Sequence, residues 1–137
     1  MNCTIKPTFR LAPEDAAAIL KDLSKVGSAF QCKLANLAEI DGSIAIVMQG
    51  TDMVAWARTE HWRDMGGRDW ETLEAFTLPS HRRRGLARFA AAGLSASGSI
   101  KVQTVAVFAS PMLSVAKAAG LMPTLFRLDE NGRWATA

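Results

Sequence analysis

Residues 71–94, Glu-Thr-Leu-Glu-Ala-Phe-Thr-Leu-Pro-Ser-His-Arg-Arg-Arg-Gly-Leu-Ala-Arg-Phe-Ala-Ala-Ala-Gly-Leu, constrain the fold more than any other stretch. Glu71 to Leu78 carries Thr, Phe and Leu in a run suited to a strand. Pro79 has no N–H to give to a ladder, so the strand ends there. From Leu86 the apolar residues Leu86, Phe89, Ala90, Gly93 and Leu94 recur at i, i+3, i+4, i+7 and i+8, which predicts one buried helix face. Between strand and helix lie Arg82, Arg83, Arg84 and Gly85. A helix N-terminus offers unpaired N–H groups and the positive end of a dipole, so it attracts anions. Three arginines add charge there, and Gly85 removes the side chain that would block close approach of a phosphate. The turn therefore reads as a cradle for a pyrophosphate.

The rest of the chain must supply a core for this unit. Its 137 residues suit a single domain spanning 1–137. With 49% hydrophobic and 21% charged residues, it reads as globular rather than disordered. The net charge of +3 is mild and owes much to the arginine run, so a small polyanion suits it at least as well as nucleic acid. Cys3 and Cys32 lack metal-ligand spacing. With no signal peptide, they read as reduced thiols of a cytoplasmic protein. No apolar run approaches the roughly 18 residues of a membrane span.

Along the chain, Thr4–Leu11 alternates loosely and predicts a first strand, with Pro7 marking a late start or a sheet edge. Pro13, Glu14 and Asp15 suit a helix N-terminus, and Ala16, Ile19, Leu20 and Leu23 form its inward face up to a stop at Gly27. Residues 28–38 predict a weaker second helix with Leu34, Leu37 and Ala38 inward. Ser43–Met48 and Met53–His61 read as paired strands around Gly50-Thr51-Asp52. After the 71–94 unit, Lys101–Ala109 predicts a strand parallel to the fourth, joined to it by a right-handed crossover. Pro111–Ala119 predicts a short helix stopped by Gly120. Met122–Leu128 and Arg133–Ala137 predict a closing hairpin around Asn131-Gly132. This order is a mixed α/β domain with one central sheet.

In that order, the chain resembles the GNAT superfamily of N-acetyltransferases. The family signature, Arg or Gln, two residues, Gly, one residue, then Gly or Ala, is matched by Arg82-Arg83-Arg84-Gly85-Leu86-Ala87, with Pro79 before it. Arg10-Leu11-Ala12-Pro13-Glu14-Asp15-Ala16 is similar to the usual start of the first helix, and Ser110–Leu121 is similar to the fourth helix. The resemblance implies a mostly antiparallel sheet with a parallel pair of strands four and five, flanked by helices. It implies acetyl-coenzyme A as the acetyl donor, its pyrophosphate on Arg82, Arg83, Arg84, Gly85, Leu86 and Ala87. Pantetheine would pair with the fourth-strand backbone at Phe76, Thr77 and Leu78, and Ser110 or Ser114 could contribute a hydroxyl in place of the missing side chains, a helix-capping role being the other reading of Ser110. The family often places a carboxylate general base eleven residues before the signature, which here is Glu71. Glu74 should face the other side of that strand. The bland reading of Glu71 is a solvated carboxylate near Arg68.

The resemblance thus implies direct acetyl transfer to an amine in a ternary complex, without a metal, the acceptor being a small molecule or a protein, and it allows a homodimer. The chain contains no tyrosine. The Tyr that many relatives use as general acid is replaced by Ala116, and the pantetheine-holding Asn by Ala109, with Ser110 next to it as a helix cap. These departures support an alternative, a non-catalytic protein of this fold that binds coenzyme A or a protein partner. Nucleic-acid binding ranks last, since only the arginine run favours it. His61 and His81 lack ligand partners at metal spacing. Trp56, Trp62 and Trp70 either line an acceptor groove or fill the core.

Overall fold

The computed structural model describes residues 1–23 and 30–136. Seven strands form one sheet in the order β1 (Asn2–Pro7), β2 (Ser43–Gln49), β3 (Asp52–Arg63), β4 (Asp69–Thr77), β5 (Thr104–Val107), β6 (Met122–Leu128) and β7 (Trp134–Thr136). β1 to β4 are antiparallel neighbours, β4–β5 and β5–β6 are parallel, and β6–β7 is an antiparallel hairpin. The helices are α1 (Pro13–Leu23), α2 (Phe30–Lys33), α3 (Leu86–Ala96) and α4 (Pro111–Ala118). The expected parallel pair of strands four and five is present, and α4 adds a second parallel step between β5 and β6.

Alternation along β2 and β3 builds the core on both faces. Ala45, Val47, Ala55 and Ala57 meet Leu86, Ala90, Ala91 and Leu94 of α3 and Val115 and Ala116 of α4. Ile44, Ile46 and Trp56 face the other way, against Ile19 and Leu23 of α1 and Phe30 of α2. Small residues on the α3 face let the helix lie close to the sheet. At Gly93, a Cβ would come within 3.2 Å of Ile5.

Several elements differ from the sequence expectation, each for a local reason. β1 starts at Asn2 and ends at Pro7, because the proline has no N–H to extend the ladder; Thr8–Arg10 turns as a 3-10 segment instead. Leu20 is 42% exposed rather than inward. Among the described residues the second helix covers Phe30–Lys33, followed by a 3-10 turn at Leu37–Glu39, and Ala38 is exposed. Gly27 and Ser28 lie outside the described residues, as does the Cys32 side chain. On α3, the buried stripe is Leu86, Ala90, Ala91 and Leu94, which leaves Phe89 on the flank at 46% exposure. β5 is shorter than Lys101–Ala109 because the Lys101 N–H is taken by the Glu71 carboxylate at 2.6 Å, so the ladder begins only at Thr104. The closing hairpin forms as expected, with Gly132 at φ 75° and Asp129 Oδ1 accepting the N–H groups of Asn131 and Arg133, while Ala137 lies outside the described residues.

Candidate active site

β4 is paired with β3 from Asp69 to Thr77, but with β5 only at Glu71–Val105 and Thr72–Ala106. Beyond Thr72 the two parallel strands part, and the β5-facing edge of residues 73–77 has no strand partner. An unpaired strand edge is a row of N–H and C=O groups ready to pair with an extended ligand. Because β4 and β5 are parallel, α3 and α4 both begin at this splayed end. Their dipoles make it electropositive.

The turn leading into α3 is shaped by two left-handed residues, Arg83 at φ 66° and Gly85 at φ 72°. Left-handed backbone in an arginine costs about 1–2 kcal/mol and recurs where function constrains the chain. The first helical bond runs from the Phe89 N–H to the Gly85 carbonyl at 2.9 Å. Among the described residues, no backbone carbonyl accepts from the N–H groups of residues 83–88. A Cβ on Gly85 would meet no atom within 4 Å, so this glycine answers to its backbone angle and to open space before the helix.

The predicted site residues fall into two groups. Arg82, Arg83, Arg84 and Gly85 are exposed on the turn, Leu86 is buried in the core, and Ala87 is half-buried. Arg82 Nε donates to the Thr77 carbonyl at 3.3 Å, which folds the turn back onto the end of β4. Phe76 stacks on Trp56 with ring centroids 6.2 Å apart. Leu78 packs against the α3 core, and its N–H donates to the Val54 carbonyl at 3.0 Å. Ser110 stands across the splay, at the start of α4. It makes no side-chain cap, contrary to the sequence expectation; its hydroxyl accepts from Arg127 Nη2 at 3.2 Å. Arg127 is a further cation at this end that no sequence motif marked. His81 is a turn residue whose Nε2 lies 2.7 Å from Gln49 Oε1.

Glu71 sits at the base of the splay and is 1% exposed, so it is not the solvated carboxylate near Arg68. Arg68 lies instead over the Trp70 ring at 4.2 Å. The Glu71 side chain points to the α3 side, where Oε1 accepts the Lys101 N–H at 2.6 Å and the carboxylate lines a small cavity of about 220 Å³ with Phe9, Asp41, Ser99 and Lys101. Burial pushes its carboxyl above the ordinary glutamate range, against the opposing pull of the Lys101 and Val102 amides and of nearby His61 and Lys101.

Glu74 faces the opposite side, as expected. Its Oε1 accepts from Arg58 Nε at 2.8 Å. Arg58, with only 5% of its side chain exposed, also binds Glu60 at 2.7 Å and covers the Phe30 ring at 4.2 Å. Burial pushes Glu60 upward, but hydrogen bonds from Lys33 and Arg58 outweigh it and hold the carboxyl below the usual range. Sequence reading missed this network, because its members come from α2, β3 and β4 and share no local spacing. At the fourth-helix position of the missing Tyr, Ala116 is fully buried, and Ser114 spends its hydroxyl on the Pro111 carbonyl at 3.1 Å. Among the described residues, no group of three His, Cys, Asp or Glu side chains stands where a metal would be held. No described helix is long and apolar enough to cross a membrane.

The chain has the fold of the GNAT acetyltransferases. The aminoglycoside N-acetyltransferase AAC(6')-Iy, solved with the bisubstrate analogue CoA-S-monomethyl-acetylneamine, superposes with a TM-score of 0.61 at 23% identity over 88% of this chain and 91% of that one. Glucosamine-6-phosphate N-acetyltransferase from Arabidopsis thaliana gives 0.57 at 15% identity over 88% and 92%. An aminoglycoside acetyltransferase from an uncultured soil metagenomic sample, in complex with sisomicin, gives 0.55 at 10% identity over 85% and 86%. No protein-family model and no curated protein matches the chain.

Proposed function

We propose that the protein is an acetyl-coenzyme A-dependent N-acetyltransferase. The observation that carries this reading is the coincidence, at one end of the sheet, of an unpaired β4 edge with an arginine-lined helix start. An extended pantetheine arm fits the first, and a pyrophosphate fits the second. In this reading the amides of residues 84–87 and the side chains of Arg82, Arg83 and Arg84 hold the pyrophosphate. The open β4 edge at Thr77 aligns the arm, whereas Leu78 does not pair with it, because its N–H and carbonyl are spent on Val54 and His81; Ser110 lies on the far lip. The fold neighbours solved with coenzyme A or its bisubstrate analogue support the same donor.

The reaction follows from the position of Glu71 at the base of the splay. The amine must be neutral to attack the thioester carbonyl. Glu71, directly or through a water, takes its proton; the C–N bond forms, the C–S bond breaks, and coenzyme A leaves as thiolate to be protonated from solvent. The absence of a side-chain acid leaves that last step to water. Holding the two reactants in line is the larger part of the catalysis. Isothermal titration calorimetry with acetyl-coenzyme A, followed by a thiol-release assay over a panel of amines, tests the reading. Micromolar binding with amine-dependent thiol release is expected; no binding of acetyl-coenzyme A would sink it.

A second reading rests on Ala116, whose full burial leaves no group for the acid role. In it the protein binds coenzyme A, or a partner protein, without turnover. Cofactor binding with no thiol release across the amine panel would favour it.

A further inference from the structure

A second, larger cavity lies on the face of the sheet that α3 and α4 do not cover. Its volume is about 460 Å³, and its walls are Trp62, Trp70, Phe108, Phe126 and Trp134, with Asp64 at the rim. The rings pack against one another, with Trp70 and Phe126 buried and Trp134 at the open edge. Trp62 and Trp70 stack at 5.9 Å, Phe126 meets Trp70 edge-on at 5.1 Å, and Trp134 meets Phe108 edge-on at 4.9 Å. Two of the indole N–H groups are already spent, Trp62 Nε1 on Thr72 Oγ1 at 2.9 Å and Trp70 Nε1 on Asp64 Oδ2 at 3.0 Å. What the walls offer a ligand is therefore ring surface. Trp134 is left 51% exposed, which is a poor arrangement for a residue serving only as packing.

Aromatic faces with a carboxylate beside them select organic cations over neutral molecules of the same shape. Asp64 is the one charged residue among the described lining side chains, and the Trp70 indole N–H and the Arg68 amide hold its carboxyl below the usual range, so it is ionised at neutral pH. The same wall already takes one cation, since the Arg68 guanidinium sits 4.2 Å from the Trp70 ring centroid. The cavity also adjoins the base of the splay. Trp70 and Thr72 lie on the same face of β4, and Phe108 follows two residues after Ala106, the last β5 residue paired to β4. Adjacent same-face positions on a strand are about 7 Å apart.

We propose that this aromatic cavity binds an organic ammonium ion. The site lies on the face of β4 opposite to the Glu71 carboxylate and does not rest on the acetyl-transfer reading. Binding is measured by calorimetry without coenzyme A, using choline and its neutral isostere 3,3-dimethyl-1-butanol. Choline is expected to bind about tenfold more tightly than the isostere. Asp64→Asn and Trp134→Ala should each weaken choline several-fold while leaving acetyl-coenzyme A affinity unchanged. Equal binding of the two probes, or unchanged choline affinity in both variants, would overturn the ammonium site. Failure of acetyl-coenzyme A to bind would remove the transfer reading and leave the choline result standing.

Discussion

Glu71 is a carboxylate that the fold keeps from water and places in one of the two register pairs that join β4 to β5 among the described residues. Its proton affinity is raised chiefly by burial, and the sign of the consequence follows. The folded protein holds the proton at pH values where the unfolded chain has released it. The site's contribution to stability is therefore complete below the ordinary glutamate value and is lost as pH rises through the raised one. As a base it must be deprotonated, so the acid limb of kcat/KM is expected above the ordinary glutamate range. Glu71→Gln should lower kcat/KM by about a hundredfold or more, abolish that limb and leave acetyl-coenzyme A affinity nearly intact. A glutamine variant with the parent's turnover would take Glu71 out of the mechanism. The spacing to the arginine turn marked this residue in the sequence. Its burial was not legible there, because it depends on a bond to Lys101, thirty residues away.

The turn and α3 act as one element, and Gly85 is where their geometry is tested. An alanine there must adopt φ near 72° with no protein atom within 4 Å to oppose it, so strain alone is at stake. That costs about 1–2 kcal/mol. Its methyl group would stand where a pyrophosphate approaches the helix amides. Gly85→Ala should therefore lower acetyl-coenzyme A affinity on the order of tenfold, about one lost contact to a charged group, beyond its effect on unfolding midpoint. Unaltered affinity would mean that the phosphates lie elsewhere. Strand, turn and helix were all legible in residues 71–94 because proline, glycine and apolar spacing act locally. The edges of elements were less so. Phe89 satisfied the helical period yet lies outside the buried stripe, because the sheet receives the α3 face centred on Ala90. β5 lost its first residues to a side chain from another strand.

At the scale of the molecule, the sheet divides two layers of different chemistry. The α3–α4 side is closed by small and aliphatic residues, and these alternations were readable from the sequence. The opposite side joins α2, β3 and β4 through Arg58, and no sequence pattern announced that junction, since its partners meet only on folding. Two ion-pair systems allow its weight to be judged. Lys101 and Asp41 are 2.9 Å apart, but their side chains are 60% and 58% exposed. A pair so exposed contributes about 0–1 kcal/mol. Arg58 is 5% exposed, binds two carboxylates and lies over Phe30. Removing it takes a hydrogen-bonded cation from Glu74 and from Glu60, which keeps Lys33, and uncovers the Phe30 ring, at a cost of about 2–3 kcal/mol. In urea unfolding, Arg58→Ala should therefore lose several times more stability than Lys101→Ala, and 0.5 M salt should not close the gap, because screening acts weakly on buried charge. Equal losses in the two variants would show that α2 is held to the sheet by its apolar contacts alone, with Phe30 and Trp56 carrying the junction.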